Sequence, residues 1–172
     1  MIIIIQTSRL ILKPLNADEL LLAVNSPDEL DKHLNLNIRY SHAPEGHIRK
    51  ALEYRRKMVM EHPAEYMWYS EWELIEAAES RIIGGIMLMP ERKDGEVEIG
   101  YGIDEKHQNK GYMTEAVSAL INWMFENSAE LMYVVAETEK DNTPSQKVVI
   151  KAGMLKYKET DACYWWRTGK NS

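Results

Sequence analysis

From Met67 onward the chain changes character, and that change restricts the folds open to it. Met67 to Ile75, Arg81 to Met89 and Glu96 to Ile103 are three strand-like runs. Only Glu79-Ser80 and Arg92-Lys93-Asp94-Gly95 lie between them as turn segments. Links this short imply an antiparallel meander, because a parallel pair needs a long crossover. Thr114 to Asn127 then sets Ala116, Val117, Leu120, Met124 and Phe125 on one side of an amphipathic helix. The apolar strand Leu131 to Thr138 follows. A meander that feeds a strand–helix–strand crossover makes a mixed sheet with helices on its faces.

The remaining segments fit round this centre. Ile3 to Leu15 alternates apolar residues around Thr7-Ser8-Arg9 and reads as a strand. Asn16 opens a helix, and Glu19 completes a capping box. Ser26-Pro27-Asp28-Glu29 repeats the signal with proline at the first helical position. Pro44 starts a longer helix to about Glu61, with Ile48, Leu52, Met58 and Val59 in its stripe, and His62-Pro63 stops it. Thr143-Pro144 opens another helix, which Gly153 closes as a left-handed cap. Leu155 to Glu159 and Cys163 to Arg167 finish as strands. The order is β-α-α-α-β-β-β-α-β-α-β-β in a single domain over residues 1–172.

Composition narrows the function classes. A net charge of −6 argues against a nucleic-acid partner. No apolar run approaches the roughly 18 residues of a membrane span, and Met1 to Ile5 is too short for a signal-peptide core. A lone cysteine, Cys163, excludes an intramolecular disulfide, so a cytoplasmic setting is expected. His33, His42, His47, His62 and His107 show no metal-ligand spacing and read as surface or loop residues. No metal site is expected.

The chemistry concentrates between Glu96–Ile103 and the helix at 114. Gln108-Asn109-Lys110-Gly111-Tyr112-Met113-Thr114 joins a strand to a helix N-terminus, where free N–H groups carry about half a positive charge. Gly111 permits close backbone approach and positive φ, and Asn109 is the next most tolerant of a left-handed turn. A loop that curls its N–H groups inward makes a nest for phosphate oxygens, and Lys110 and Gln108 add side-chain donors. Taken alone, most such loops bind nothing. Neither a G-x-G-x-x-G fingerprint nor a Walker pattern is present.

Two motifs together point further. Glu98-Ile99-Gly100-Tyr101-Gly102-Ile103-Asp104 followed by Gln108-x-x-Gly111-Tyr112-Met113-Thr114-Glu115-Ala116 resembles the central motif of the GNAT N-acetyltransferases, with its Arg/Gln-x-x-Gly-x-Gly/Ala pyrophosphate loop. Asn142-x-x-Ser145 and Lys151-x-Gly153-Met154 resemble the second motif, and Thr7-Ser8-Arg9-Leu10-Ile11-Leu12 is similar to the opening strand of the RimJ/RimL-like branch. The resemblance covers nearly the whole chain and is firmest from Arg81 to Met154. It implies a GNAT fold: an α/β (α+β) mixed sheet of about seven strands, split at the fourth, with helices on both faces. Met113 stands where Gly or Ala is commoner, Asn109 where Gly is frequent and Met154 where Phe is usual. At Val149 many family members carry a tyrosine that protonates the departing thiolate.

The resemblance implies acetyl-CoA as co-substrate and direct attack by an amine. That reaction needs a neutral amine, a stabilised oxyanion and a protonated or solvated leaving sulfur. The cofactor contacts it implies are Tyr101 and Ile103 by backbone pairing with pantetheine, Gln108 to Thr114 around the diphosphate, and Asn142, Ser145 and Lys151 on the following helix. Ser145 is the candidate acid, acting as a hydrogen-bond donor or through water. Glu98, on the same strand face as Glu96 and Gly100, is the candidate base, with Glu137 weaker. Trp68, Trp72, Trp165 and Trp166, with Tyr66, Tyr69 and Tyr164, are either packing or an aromatic wall for a cationic amine. Cys163 reads as packed rather than nucleophilic. The acceptor is a protein N-terminus or a small-molecule amine, and a homodimer is one possible assembly. A GNAT-fold module that binds CoA without turnover is the alternative, and a purely structural domain a third.

Overall fold

A computed structural model describes residues 4–89 and 95–170. The turn residues Arg92 to Asp94 and the start of the opening run lie outside these residues. The chain divides into two compact units between Met87 and Leu88, and each is built on its own strands.

In the first unit the opening run is not one strand. Ile5–Gln6 (β1) and Leu10–Pro14 (β2) form an antiparallel hairpin, with Ile5 opposite Leu12. Thr7 turns the chain: its Oγ1 accepts the Leu10 amide at 2.9 Å, and its own amide donates to the Leu10 carbonyl. This turn accounts for eight described strands where about seven were expected.

Helices α1 (Ala17–Asn25), α2 (Pro27–His33) and α3 (Gly46–Glu61) follow. The capping box forms as read. Asn16 Oδ1 accepts the Asp18 and Glu19 amides, and Glu19 Oε2 accepts the Asn16 amide at 2.8 Å. Ser26 makes no side-chain cap, so only the proline and the acidic first turn mark the start of α2. The buried stripe of α3 is Leu52, Arg55 and Val59, whereas Ile48 is exposed.

The strand expected from Met67 begins only at β3 (Glu71–Glu76), and Pro63–Trp68 is a 3-10 turn. The Trp72 indole N–H bonds the Met67 carbonyl at 2.9 Å and holds that turn against the strand. β3 pairs antiparallel with β2 and with β4 (Arg81–Leu88). Leu15, Leu20, Leu30, Ile75 and Ile82 form the heart of this unit's core. Each fully buried aliphatic side chain contributes roughly 1.5–3 kcal/mol.

The second unit holds β5 (Glu96–Ile103), α4 (Tyr112–Asn127), β6 (Tyr133–Glu139), α5 (Thr143–Lys151), β7 (Leu155–Glu159) and β8 (Cys163–Gly169). β5 and β6 are parallel, β8 runs antiparallel to β6, and β7 lies outside β8. This is the mixed α/β arrangement expected of the chain. α4 and α5 pack on each other and against β5 and β6. Gly153, at φ +85°, ends α5 as the sequence indicated.

One detail of register positions the chemistry. β5 and β6 pair from Glu96–Tyr133 to Ile99–Ala136 and no further. Both strands continue, β5 to Ile103 and β6 to Glu139. They therefore part beyond Ile99, at the strand expected to split the sheet. It is β5 here only because the opening run became two strands.

Candidate active site

The loop before α4 is shaped by two left-handed residues. Asn109 has φ +60° and Gly111 has φ +82°, the conformations their residue types tolerate best. Gly111 is the N-cap of α4 and offers no side chain to cap it. Among the described residues, no hydrogen bond engages the backbone amides of Asn109, Gly111, Met113 or Thr114. The N-terminus of a 16-residue helix thus meets unpaired N–H groups at one spot. Met113 is already in the first helical turn with its side chain buried, so it leaves the mouth of the helix open.

This mouth opens into a cleft of about 470 Å³. Of the residues anticipated at the cofactor, Tyr101, Ile103, Gln108, Asn109, Gly111, Tyr112, Met113, Thr114, Asn142, Ser145 and Lys151 line it. Lys110 and Glu98 do not. Gln108 turns its amide toward the Ile103 carbonyl at 3.4 Å. Asn142 caps α5, with its Oδ1 accepting the Ser145 amide at 3.1 Å.

The cleft also has residues that sequence reasoning passed over: His107, Pro144, Lys147 and Val148. Pro144, Lys147, Val148 and Lys151 stand at i, i+3, i+4 and i+7 on α5, one face of a helix. That spacing was the available signal. Lys147 and Lys151 set two cationic side chains beside the free amides, so the cleft favours an anion. His107, read as a surface or loop residue, is instead buried. Its Nδ1 has no hydrogen-bond partner among the described residues, and the nearest Asp104 carboxylate oxygen is 4.0 Å away. It sits in the short turn Glu105–His107 with its ring edge-on to Tyr112.

At the inner end of the cleft Tyr101 meets Ser145. The phenol oxygen is 2.8 Å from Ser145 Oγ and 3.0 Å from the Ser145 carbonyl oxygen. Burial raises the Tyr101 pKa, and the hydrogen bond to Ser145 offsets part of that rise. Val149, four residues along α5, is fully buried.

Tyr101 shares a strand face with the buried Val97 and Ile99, so that face looks to α5. Glu96 and Glu98 alternate to the other face, and across the sheet Glu137 and Arg167 accompany them. Burial, and then the like charge of Glu137, raise the Glu98 pKa. Beyond Ile99, where β5 parts from β6, Gly100 lies under the Met89 side chain, whose Cε would be 3.2 Å from a Cβ there. A Cβ on Gly102 would meet nothing within 4 Å.

The aromatic residues divide. Trp68, Trp72 and Trp166 are buried, and the Trp166 indole N–H bonds Thr138 Oγ1 at 2.8 Å, so these three pack. Trp68 lies in the 3-10 turn, not in a strand. Trp165 stays partly open, with Lys158 Nζ 5.2 Å from its ring centre. Arg167 is held between Tyr133 and Tyr157, 4.6 and 4.7 Å from their ring centres.

Cys163 hydrogen-bonds Glu137, and that carboxylate holds the thiol pKa up to about 11. The thiolate fraction at pH 8 is therefore small, partly offset by the greater nucleophilicity of a less acidic thiol. Iodoacetamide should alkylate Cys163 roughly twentyfold more slowly than free cysteine. Glu137→Gln should restore most of the rate, and equal rates in both proteins would remove the Glu137 explanation. Among the described residues no cluster of ligands could hold a metal ion, and no helix is long and apolar enough to cross a membrane.

Unpaired amides at a helix mouth, two lysines and the Tyr101–Ser145 pair thus share one cleft, an arrangement suited to an anionic ligand. The acetyltransferase (GNAT) domain model matches residues 9–155, and the chain belongs to that family. It is thus an N-acetyltransferase that takes its acetyl group from acetyl-CoA. The N-acetyltransferase YjdG of Bacillus subtilis, itself described as uncharacterized, is 26% identical over 165 residues, covering 95% of this chain and 96% of that protein. The ribosomal-protein-serine acetyltransferase of Escherichia coli is 38% identical over 58 residues, 34% of this chain and 32% of that protein. The fold is shared with the ribosomal-protein-S5-alanine acetyltransferase of Vibrio fischeri. That likeness has a TM-score of 0.71 at 16% identity and covers 98% of this chain and 97% of the other. It is shared too with a RimL ribosomal-protein acetyltransferase solved with coenzyme A, at TM-score 0.67 and 14% identity, over 97% and 98% of the two chains.

Proposed function

We propose that the chain, acting as a single GNAT domain in the cytoplasm, acetylates the α-amino group of a protein N-terminus. The acceptor class is supported by the similarity to ribosomal-protein acetyltransferases. It is also supported by the open sheet face of the second unit, where Glu98 and Glu137 favour a cation. The observation that carries the catalytic reading is the parting of β5 from β6 between the Ser145 cleft and the Glu98 face.

In this reading the CoA diphosphate lies on the backbone amides of the loop from Asn109 to Met113, with Gln108, Tyr112 and Thr114 beside it and Lys147 and Lys151, in place of Lys110, as cationic neighbours. Pantetheine runs past Asn142 along the backbone of Tyr101 and Ile103, on the stretch of β5 that β6 no longer pairs. The acetyl group then lies at the parting. Glu98 accepts the amine's proton, directly or through water, from the face opposite the cleft. A backbone N–H between Ile99 and Ile103 stabilises the oxyanion. Ser145 hydrogen-bonds the departing sulfur in place of the tyrosine that Val149 excludes. The assembly proposed is a homodimer.

Acetyl-CoA with hexapeptides starting in serine or alanine, their N-blocked counterparts, spermidine and an aminoglycoside tests the acceptor by release of free CoA thiol. Turnover of the free-N-terminus peptides alone supports the reading. Turnover confined to spermidine or the aminoglycoside overturns it.

A further inference from the structure

Tyr101 commits its hydroxyl to Ser145 on the facing helix, and the two contacts it makes there cannot both be donated. A phenol carries a single proton. If that proton is on the Ser145 carbonyl, at 3.0 Å, then the 2.8 Å contact is made by the Ser145 hydroxyl donating back to the phenol. In that state the Ser145 proton is consumed within the protein. If the phenol proton turns to Ser145 Oγ instead, the Ser145 proton is released to point into the cleft. The two arrangements differ only by rotation of two hydroxyl groups, with no movement of β5 or α5.

We infer that Tyr101 is a positioning residue for Ser145: its hydroxyl fixes the serine rotamer and, by turning its proton onto Oγ, frees the serine proton for the departing sulfur. This rests on the role given to Ser145 above. As the amine nitrogen bonds the thioester carbon and the carbon–sulfur bond then breaks, the electron pair of that bond goes to sulfur. Ser145 donates a hydrogen bond to the developing thiolate, and Tyr101 donates one to Ser145 Oγ. Neither hydroxyl loses its proton. The thiolate takes its proton from solvent, and the amine's proton leaves through Glu98 or water. A serine that accepts one hydrogen bond is the stronger donor of the next, because chained hydrogen bonds polarise each other. The site thereby gains from two residues the donor that a tyrosine at position 149 would give from one.

The test is a double-mutant cycle in single-turnover acetyl transfer, using the acceptor that performs best in the panel above. Tyr101→Phe should slow the step about tenfold, the worth of one hydrogen bond of ~1.4 kcal/mol. The affinity for CoA, measured by calorimetry, should stay within about twofold, since the phenol acts on the leaving step. Ser145→Ala should be slower still, and adding Tyr101→Phe to it should change nothing, because the tyrosine acts only through the serine. A normal rate in Tyr101→Phe, or two defects that multiply, overturns this inference and leaves the role of Ser145 standing. A normal rate in Ser145→Ala overturns both.

Discussion

Gly111→Val is expected to weaken CoA binding by about 100-fold or more, because two or more hydrogen bonds to a charged diphosphate, at roughly 1.5–3 kcal/mol each, depend on that backbone. Gly111 sits at φ +82°, a region that a β-branched residue all but never enters. Valine would push the loop toward negative φ and turn its amides out of line with the mouth of α4. The folding penalty should be modest, about 1–2 kcal/mol, the usual difference for an L-residue held left-handed. Calorimetric titration with CoA reads the first effect, and urea unfolding of the CoA-free protein reads the second. Unchanged affinity would mean that the diphosphate lies elsewhere and that the loop at 109–113 is only a connection.

Glu98→Gln is expected to slow transfer by about 100-fold, at the lower end of what a positioned base contributes, and to change the pH dependence in a defined direction. Burial and the charge of Glu137 raise the Glu98 pKa. The carboxylate is the active form, so in the native enzyme activity falls with decreasing pH earlier than an ordinary glutamate would dictate. In Glu98→Gln that acidic limb should vanish from the rate profile. In Glu137→Gln it should survive but move to lower pH, because the repelling charge is gone. The stability sign is opposite to the usual salt-bridged acid. A raised native pKa means the folded state holds the proton more tightly than the unfolded state. Stability is then lost as pH rises from the unfolded pKa through the folded one. Glu98→Gln should accordingly be no less stable than the native protein at neutral pH. An acidic limb that persists in Glu98→Gln would take this glutamate out of the mechanism.

Much of the site was readable because it depends on local conformation. Gly111 and Asn109 tolerate the left-handed backbone, and the structure uses both for it. The Asn16–Glu19 box and the Gly153 cap formed for the same reason: each closes hydrogen bonds within a few residues. The misreadings are instructive in the same terms. Ile3 to Leu15 has the alternation of one strand, yet the Thr7 hydroxyl captures the Leu10 amide and folds the run back on itself. Met67 to Ile75 has the aromatic-rich look of one strand, but Pro63–Trp68 is a 3-10 turn, and the Trp72 indole bonds the Met67 carbonyl across the junction. His107 read as a surface or loop residue; it does lie in the turn before α4, but it is buried there with its ring edge-on to Tyr112.

By itself the sequence determined the order of elements, the left-handed loop before α4 and the family, since these follow from periodicity, from glycine and asparagine at left-handed positions, and from two motifs in order. Tertiary structure alone decided three things: that β5 leaves β6 after Ile99, that Ser145 lines the cleft while Glu98 does not, and that the Tyr101 hydroxyl reaches Ser145 across 44 residues of chain. The reason is range. A turn or a cap is settled by neighbours along the chain, whereas the meeting of two side chains from different elements depends on where whole strands and helices come to rest.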